Sequence, residues 1–268
     1  MRYPLFPRTA LPSENPVSVP LLSELVPDGV KPGKLILVEF DPESEWLAVA
    51  STITSRYLRA GGHANYATSV RSPEAVKENL ATLGVDVSAV IGEGRFVLVD
   101  WYSATLTGGR IEGGGPSVFE PIEGGARVRS LKVTDLSVEW LKWRKGGYET
   151  WDVVETWPPG ALGVWESLSP MLRFNEEGSF LEWLISRANP NERRAKRIFL
   201  NGIVRDLHSV PFYKRLESEY DGVIELRVME RGEEAKNLLR VRSLKGQPHD
   251  AHWHEIEIKP NGEAVLLT

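Results

Sequence analysis

A chain of 268 residues with 41% hydrophobic content can bury one large α/β core or two small ones, and its net charge of -5 excludes a general affinity for nucleic acid or acidic membranes. The absence of cysteine removes disulfides, thiolate catalysis and cysteine-ligated zinc or iron–sulfur centres together. No apolar run approaches the ~20 residues that span a bilayer, so a cytoplasmic protein is expected.

Residues 1–20 are interrupted by Pro4, Pro7, Pro12, Pro16 and Pro20 and read as an extended arm rather than a signal peptide, which leaves 21–268 as a single domain. Leu35–Val38 is a continuous apolar run of the kind found in strands buried on both faces of a parallel sheet. A helix is expected directly after it. Asp41 reads as its N-cap, Pro42 as its first residue, and Glu43 and Glu45 as first-turn acids, with Gly61-Gly62 ending it. Ala64–Ser69 reads as a second strand. Ser72-Pro73 caps a helix that ends near Gly84, and Arg95–Asp100 is a third buried strand. Residues 103–127 are glycine-rich and read as a mobile loop or a disordered insertion. A helix is expected from Thr134 to about Arg144, a strand at Ala161–Glu166, a helix at Ser179–Arg187, a strand at Arg197–Val204 and a helix at Pro211–Glu219. Beyond Gly222 the pattern becomes strands joined by turns: Val223–Val228, Leu238–Leu244, His254–Ile258 and Ala264–Leu267. The βα alternation predicts a doubly wound, mostly parallel sheet in three αβα layers, extended by C-terminal antiparallel hairpins.

Six stretches in this order resemble the KaiC-like branch of the RecA-type P-loop ATPases over residues 20–268. They are the strand-to-helix segment Leu35–Ala48, Tyr66-Ala-Thr-Ser-Val-Arg-Ser-Pro, Val99-Asp-Trp-Tyr-Ser, Trp165-Glu-Ser-Leu-Ser-Pro, Asp221-Gly-Val-Ile-Glu-Leu, and the run from Leu239 to His249. The resemblance implies a RecA-like fold and, in that family, a nucleotide held where the first strand runs into its helix.

The residues that would do the chemistry do not follow. Matched to the family's Walker A loop, Phe40, Glu43 and Glu45 stand where glycines belong, Trp46 falls at the phosphate-binding lysine and Leu47 at the magnesium-binding Thr or Ser. A phosphate cradle needs converging N–H groups on glycine-permitted backbone, and Asp41, as a cap, would occupy those donors. Glu43 and Glu45 would each repel the anion by ~1 kcal/mol at contact range in water. Val70 and Arg71 stand where the family has paired glutamates, and arginine cannot act as a base. Glu166 replaces the Walker B aspartate, and Lys245 is what remains of a cationic finger motif, within Ser243-Leu-Lys-Gly.

Other features have plain readings beside sharp ones. His249-Asp-Ala-His-Trp-His254 resembles a metal-ligand cluster, in which Asp250, His252 and His254 would share one face of a strand; a solvated strand face is the reading adopted, with no metal and no cofactor. Glu192-Arg-Arg-Ala-Lys-Arg197 is either a nucleic-acid patch or a solvated helix end, and the acidic chain favours the second. Trp140, Trp143, Trp151, Trp157 and Trp165 are candidates for a protein interface or for the core. The expected function is that of a pseudo-ATPase without ATP hydrolysis, acting through a protein partner or self-association. One alternative is a nucleotide or small-molecule binder that uses the sheet's carboxyl edge in an altered way, anchored by Glu166, Asp100 and Arg71. The other is a DNA-binding accessory protein using Arg193, Arg194, Lys196 and Arg197.

Overall fold

The computed structural model of the chain describes residues 15–112, 118–137, 156–231 and 234–267. The N-terminal expectation therefore lies outside the described residues up to position 14; from there Val17 pairs with Val30 in an isolated antiparallel bridge and Val19 is buried.

Among the described residues the architecture is an 11-stranded sheet in the order β11-β10-β9-β8-β1-β7-β6-β2-β3-β5-β4. The strands are β1 (Leu35–Phe40), β2 (Ala64–Thr68), β3 (Phe96–Asp100), β4 (Phe119–Ile122), β5 (Gly125–Val128), β6 (Leu162–Trp165), β7 (Ile198–Val204), β8 (Gly222–Arg231), β9 (Glu234–Leu244), β10 (His254–Ile258) and β11 (Ala264–Leu267). From β8 through β1, β7, β6, β2 and β3 to β5 every pairing is parallel, whereas β4 and the tail strands β9, β10 and β11 pair antiparallel. All six residues of β1 are buried, as its unbroken apolar run predicts for a strand covered on both faces.

Side-chain alternation along each strand splits the core into two layers. Ile36 and Val38 face one layer with the helices Trp46–Arg59 and Pro73–Thr82; Leu35 and Leu37 face the other, with Phe180, Leu184, Phe212 and Leu216. Ser72 caps its helix as expected, accepting from the Ala75 N–H at 3.2 Å with Pro73 first in the helix. The helix expected from Ser179 is longer. It runs Glu177–Trp183, passes through a π-helical turn at Leu184–Ala188, and continues as Asn189–Arg194.

The described part of 103–127 departs from the loop expectation: it holds most of the helix Tyr102–Leu106 and nearly all of the hairpin β4–β5, which extends the sheet beside β3. The physical reason lies partly in a glycine: a Cβ at Gly125 would sit 1.7 Å from the Leu98 carbonyl oxygen, so only glycine lets this strand pair with β3. Helix beginning at the Thr134 signal is present over 133–137, and its continuation to Arg144 lies outside the described residues.

Candidate functional site

The carboxyl ends of the parallel strands form the edge where β1 hands over to its helix. That helix begins at Trp46, one turn later than expected, and Asp41 does not cap it. The Asp41 carboxylate is taken by distant partners instead: Arg205 at 3.1 Å, Arg227 at 3.4 Å and the Val228 N–H at 3.0 Å. Glu43 and Glu45 consequently lie in the exposed loop ahead of the helix, and no acid occupies its first turn. The expected dipole contact of those acids is corrected to a solvent-facing position; the Glu45 N–H is satisfied by Asn237 Oδ1 at 3.2 Å.

Trp46 is almost wholly buried and its indole N–H donates to the main-chain carbonyl of Glu166 at 2.7 Å. Phe40 packs near it, with ring centroids 6.2 Å apart, and Leu47 lies half-buried against the same core layer. The approach of indole to strand end depends on Gly202 in β7, since a Cβ there would fall 2.2 Å from the Glu166 carbonyl oxygen and 2.5 Å from Trp46 Nε1.

Glu166, just past the end of β6, is fully buried, and both of its carboxylate oxygens are filled. Oε1 accepts from Arg71 Nε at 2.8 Å and from the Tyr66 hydroxyl at 3.2 Å. Oε2 accepts from Thr68 Oγ1 at 2.9 Å and from the N–H groups of Ser69, Val70 and Arg71 at 3.0, 3.0 and 3.2 Å. The second arm of the Arg71 guanidinium donates to Tyr66 Oη at 2.7 Å and to Ser51 Oγ at 3.1 Å, which ties the strand end to the Trp46 helix. Burial, followed by the Glu166 carboxylate, pushes the Tyr66 phenol well above its ordinary range, so it remains a donor. For Arg71 burial opposes the charge, but Tyr66 and Glu166 outweigh it and raise its pKa. The arrangement is a closed electrostatic unit: one carboxylate, one guanidinium, and hydroxyl and amide donors for the remaining lone pairs.

Most of the other sequence candidates lie apart from this unit. Val70 is exposed beside it. Asp100, buried at the end of β3, accepts from Ser103 N–H and Oγ at 2.9 and 2.6 Å and from Arg127 at 3.0 Å. Lys245 donates to the Ser218 carbonyl at 3.0 Å, away from the edge. In the basic run Arg193 pairs with Asp221 and Arg197 with Glu192. The histidine stretch is not a strand; only His254 enters β10. There Asp250 accepts from the His252 N–H at 2.8 Å, from His252 Nδ1 at 2.6 Å and from His254 Nε2 at 3.1 Å, bonds that hold it down to about 2. Among the described residues no group of His, Asp and Glu is placed to hold a metal ion, and no helix is long and apolar enough to cross a membrane. Trp157 and Trp165 are buried, while Trp140, Trp143 and Trp151 lie outside the described residues.

A search of solved structures finds a KaiC-like protein of the hyperthermophilic archaeon Pyrococcus horikoshii, with a TM-score of 0.68 at 18% identity, covering 94% of this chain and 99% of that one. The fold is KaiC/RecA-like. No protein-family model and no curated protein matches the chain. Within this KaiC-like framework, sequence reasoning placed Trp46, Arg71 and Glu166 at one edge and missed Ser51, Tyr66, Thr68 and Gly202. Gly202 had a signal: a glycine inside an apolar strand marks a close approach.

It also missed a second charged cluster, on the opposite face of the sheet. Glu225 on β8 accepts from Arg227 at 2.7 Å, Arg240 at 2.6 Å and Arg242 at 3.2 Å, and Arg242 also meets Glu39 at 3.3 Å and Glu217 at 2.5 Å. Burial first, then the neighbouring Glu217 carboxyl, raises Glu39 from 4.5 to about 7. Burial also opposes ionisation of Glu225, yet its three arginines bring the pKa below the ordinary value. The signal was the alternation Glu225-Leu-Arg227 and Arg240-Val-Arg242, which puts these side chains on one face.

Proposed function

We propose that this chain is a non-catalytic KaiC-like protein, a pseudo-ATPase that serves as an interaction or regulatory module, in its own oligomer or beside an active ATPase paralogue. One observation carries this reading: the Trp46–Glu166–Arg71 unit occupies the strand-to-helix edge with its acceptors already filled. The resemblance matches the phosphate-binding lysine to Trp46 and the catalytic glutamates to Val70 and Arg71. A triphosphate seated there would displace a buried indole and separate a buried ion pair, and splitting such a pair costs ~3–5 kcal/mol. The loop at 41–45 supplies no cationic side chain, and of its acids Glu43 and Glu45 face solvent while Asp41 is held by Arg205 and Arg227.

The two alternatives have less support, because Asp100 is held by Arg127 and Ser103, and Arg193 and Arg197 by Asp221 and Glu192. Isothermal titration calorimetry with magnesium and ATP tests the reading. No binding heat and no phosphate release are expected at millimolar nucleotide; micromolar binding or turnover overturns it.

A further inference from the structure

The carboxyls gathered around Arg242 are joined by more than that cation. Glu39 on β1 has a side chain 5% exposed, whereas Glu217, in the last turn of the helix Val210–Glu219, is 32% exposed. One nitrogen of the guanidinium is divided between Glu39 at 3.3 Å and Glu225 at 3.2 Å, and the other goes to Glu217 at 2.5 Å. Glu225 has two further arginines, Arg227 at 2.7 Å and Arg240 at 2.6 Å. Glu39 has no second cation. Its Oε2 shares one arginine nitrogen, and its buried Oε1 receives no donor among the described residues. The group that meets the Glu39 carboxyl from the helix, within hydrogen-bond reach, is the Glu217 carboxyl. Ionised carboxylates accept and never donate, so this contact needs one proton held between the two acids.

The other groups around the pair leave that arrangement in place. On β8 Glu39 stands opposite Glu225, and Arg227 is committed to Glu225 and Asp41. On β7 its register partner is the uncharged Ile203, and in the loop that follows Arg205 is held by Asp41 and Asp206. From β9 come Arg242 and Arg240, the latter bound to Glu225 and stacked on Trp253. The helix itself brings Tyr213, a weak acid, and the exposed Lys214 one turn before Glu217. When the proton leaves, only one of the two acids can reach water. Glu39 is buried in a central strand, while Glu217 lies on a helix surface. We propose that Glu39 and Glu217 form a proton switch: with the proton in place the two carboxyls tie the last turn of the helix to β1, and without it Arg242 turns to Glu39 while the Glu217 carboxylate swings into solvent. Burial, and then the Glu217 hydrogen bond, bring Glu39 to about 7, so the tied form belongs to acid solution and the released form to alkaline. The helix stays docked in both, because Phe212 and Leu216 are buried and Lys245 and Arg193 hold the Ser218 and Glu219 carbonyls. What changes across neutrality is the charge that its last turn shows to solvent.

Carboxyl-carbon NMR of the full chain, labelled at glutamate and titrated between about pH 4 and 9, tests the switch. The signals of Glu39 and Glu217 are assigned by their loss in E39Q and E217Q. Both are expected to move together with a midpoint near 7 in the wild-type chain. In E39Q, which imitates the protonated carboxyl permanently, the Glu217 signal should lose its step near neutrality. E217Q takes away the facing acid and offers an amide donor instead, so the Glu39 midpoint should fall by about one pH unit. Burial alone would leave that midpoint unmoved by E217Q, which separates a coupled pair from a merely buried acid. Titration of wild-type Glu39 near 4.5, a Glu217 signal blind to the ionisation of Glu39, or a Glu39 midpoint unchanged in E217Q would each overturn the proposal.

Discussion

Two buried charged clusters lie on opposite faces of one sheet, and they solve the problem of a buried carboxylate in different ways. At the carboxyl edge, Glu166 is surrounded only by donors: one guanidinium, two hydroxyls and three main-chain amides. Across β1, β8 and β9, Glu39, Glu217 and Glu225 share Arg242. The first offers a donor to every lone pair of its one carboxylate. The second sets three carboxylates on one shared cation, and burial followed by the Glu217 carboxyl holds Glu39 partly protonated near neutrality. Desolvation is offset where donors reach each oxygen, and where a buried carboxylate must share its cation with other acids a proton takes the missing place.

The contrast is sharpened most by breaking the first cluster. Arg71→Ala leaves Glu166 buried and charged without its counter-ion, and a loss of ~3–5 kcal/mol in urea unfolding is expected. Adding Glu166→Gln to that variant should recover part of the loss; no recovery would mean that the cost is packing rather than charge. Next comes the indole. Trp46→Phe keeps most of the volume but leaves the Glu166 carbonyl without its donor, and a buried orphan acceptor costs ~1–3 kcal/mol. Gly202→Ala should cost about as much, ~1–3 kcal/mol, by pushing the indole and the Glu166 carbonyl apart. If Gly202→Ala melts like wild type, the close approach of Trp46 to β6 is not what holds this edge shut.

Much of the edge was legible because strand burial and strand order are written in apolar runs. Leu35–Phe40, Phe96–Asp100 and Ile198–Val204 are buried strands at or next to their expected positions. Asp41 was misread because local rules see an N-cap wherever an acid precedes proline, whereas its carboxylate is claimed by Arg205 and Arg227, 164 and 186 positions away. The hairpin β4–β5 was hidden because its strands are four residues each, too short for periodicity to register, and glycine composition suggested mobility. The pairing of Arg71 with Glu166 spans 95 positions. The resemblance identified both positions as altered, but nothing local says that the two altered residues answer each other.

The smallest expected effect belongs to the second cluster and tests it by pH. Glu39 titrates at 4.5 as a free group and at about 7 in the folded chain, so the folded state holds its proton more tightly than the unfolded state does. The sign follows from linkage: stability from this group is fully present below pH 4.5, declines as pH rises through 7, and is flat above it. The Tyr213 phenol and the Glu217 carboxyl on the helix Val210–Glu219 face Glu39, as do Glu225 on β8 and Arg242 on β9; of these Arg242 alone is a cation and opposes the shift. Glu39→Gln imitates the protonated carboxyl and removes the titration. The variant should therefore match wild type near pH 4.5 and exceed it at pH 8, by about 1 kcal/mol once solvent at the rim of the cluster is allowed for. Equal stability at pH 8 would place Glu39 among ordinary carboxylates and leave the two clusters alike.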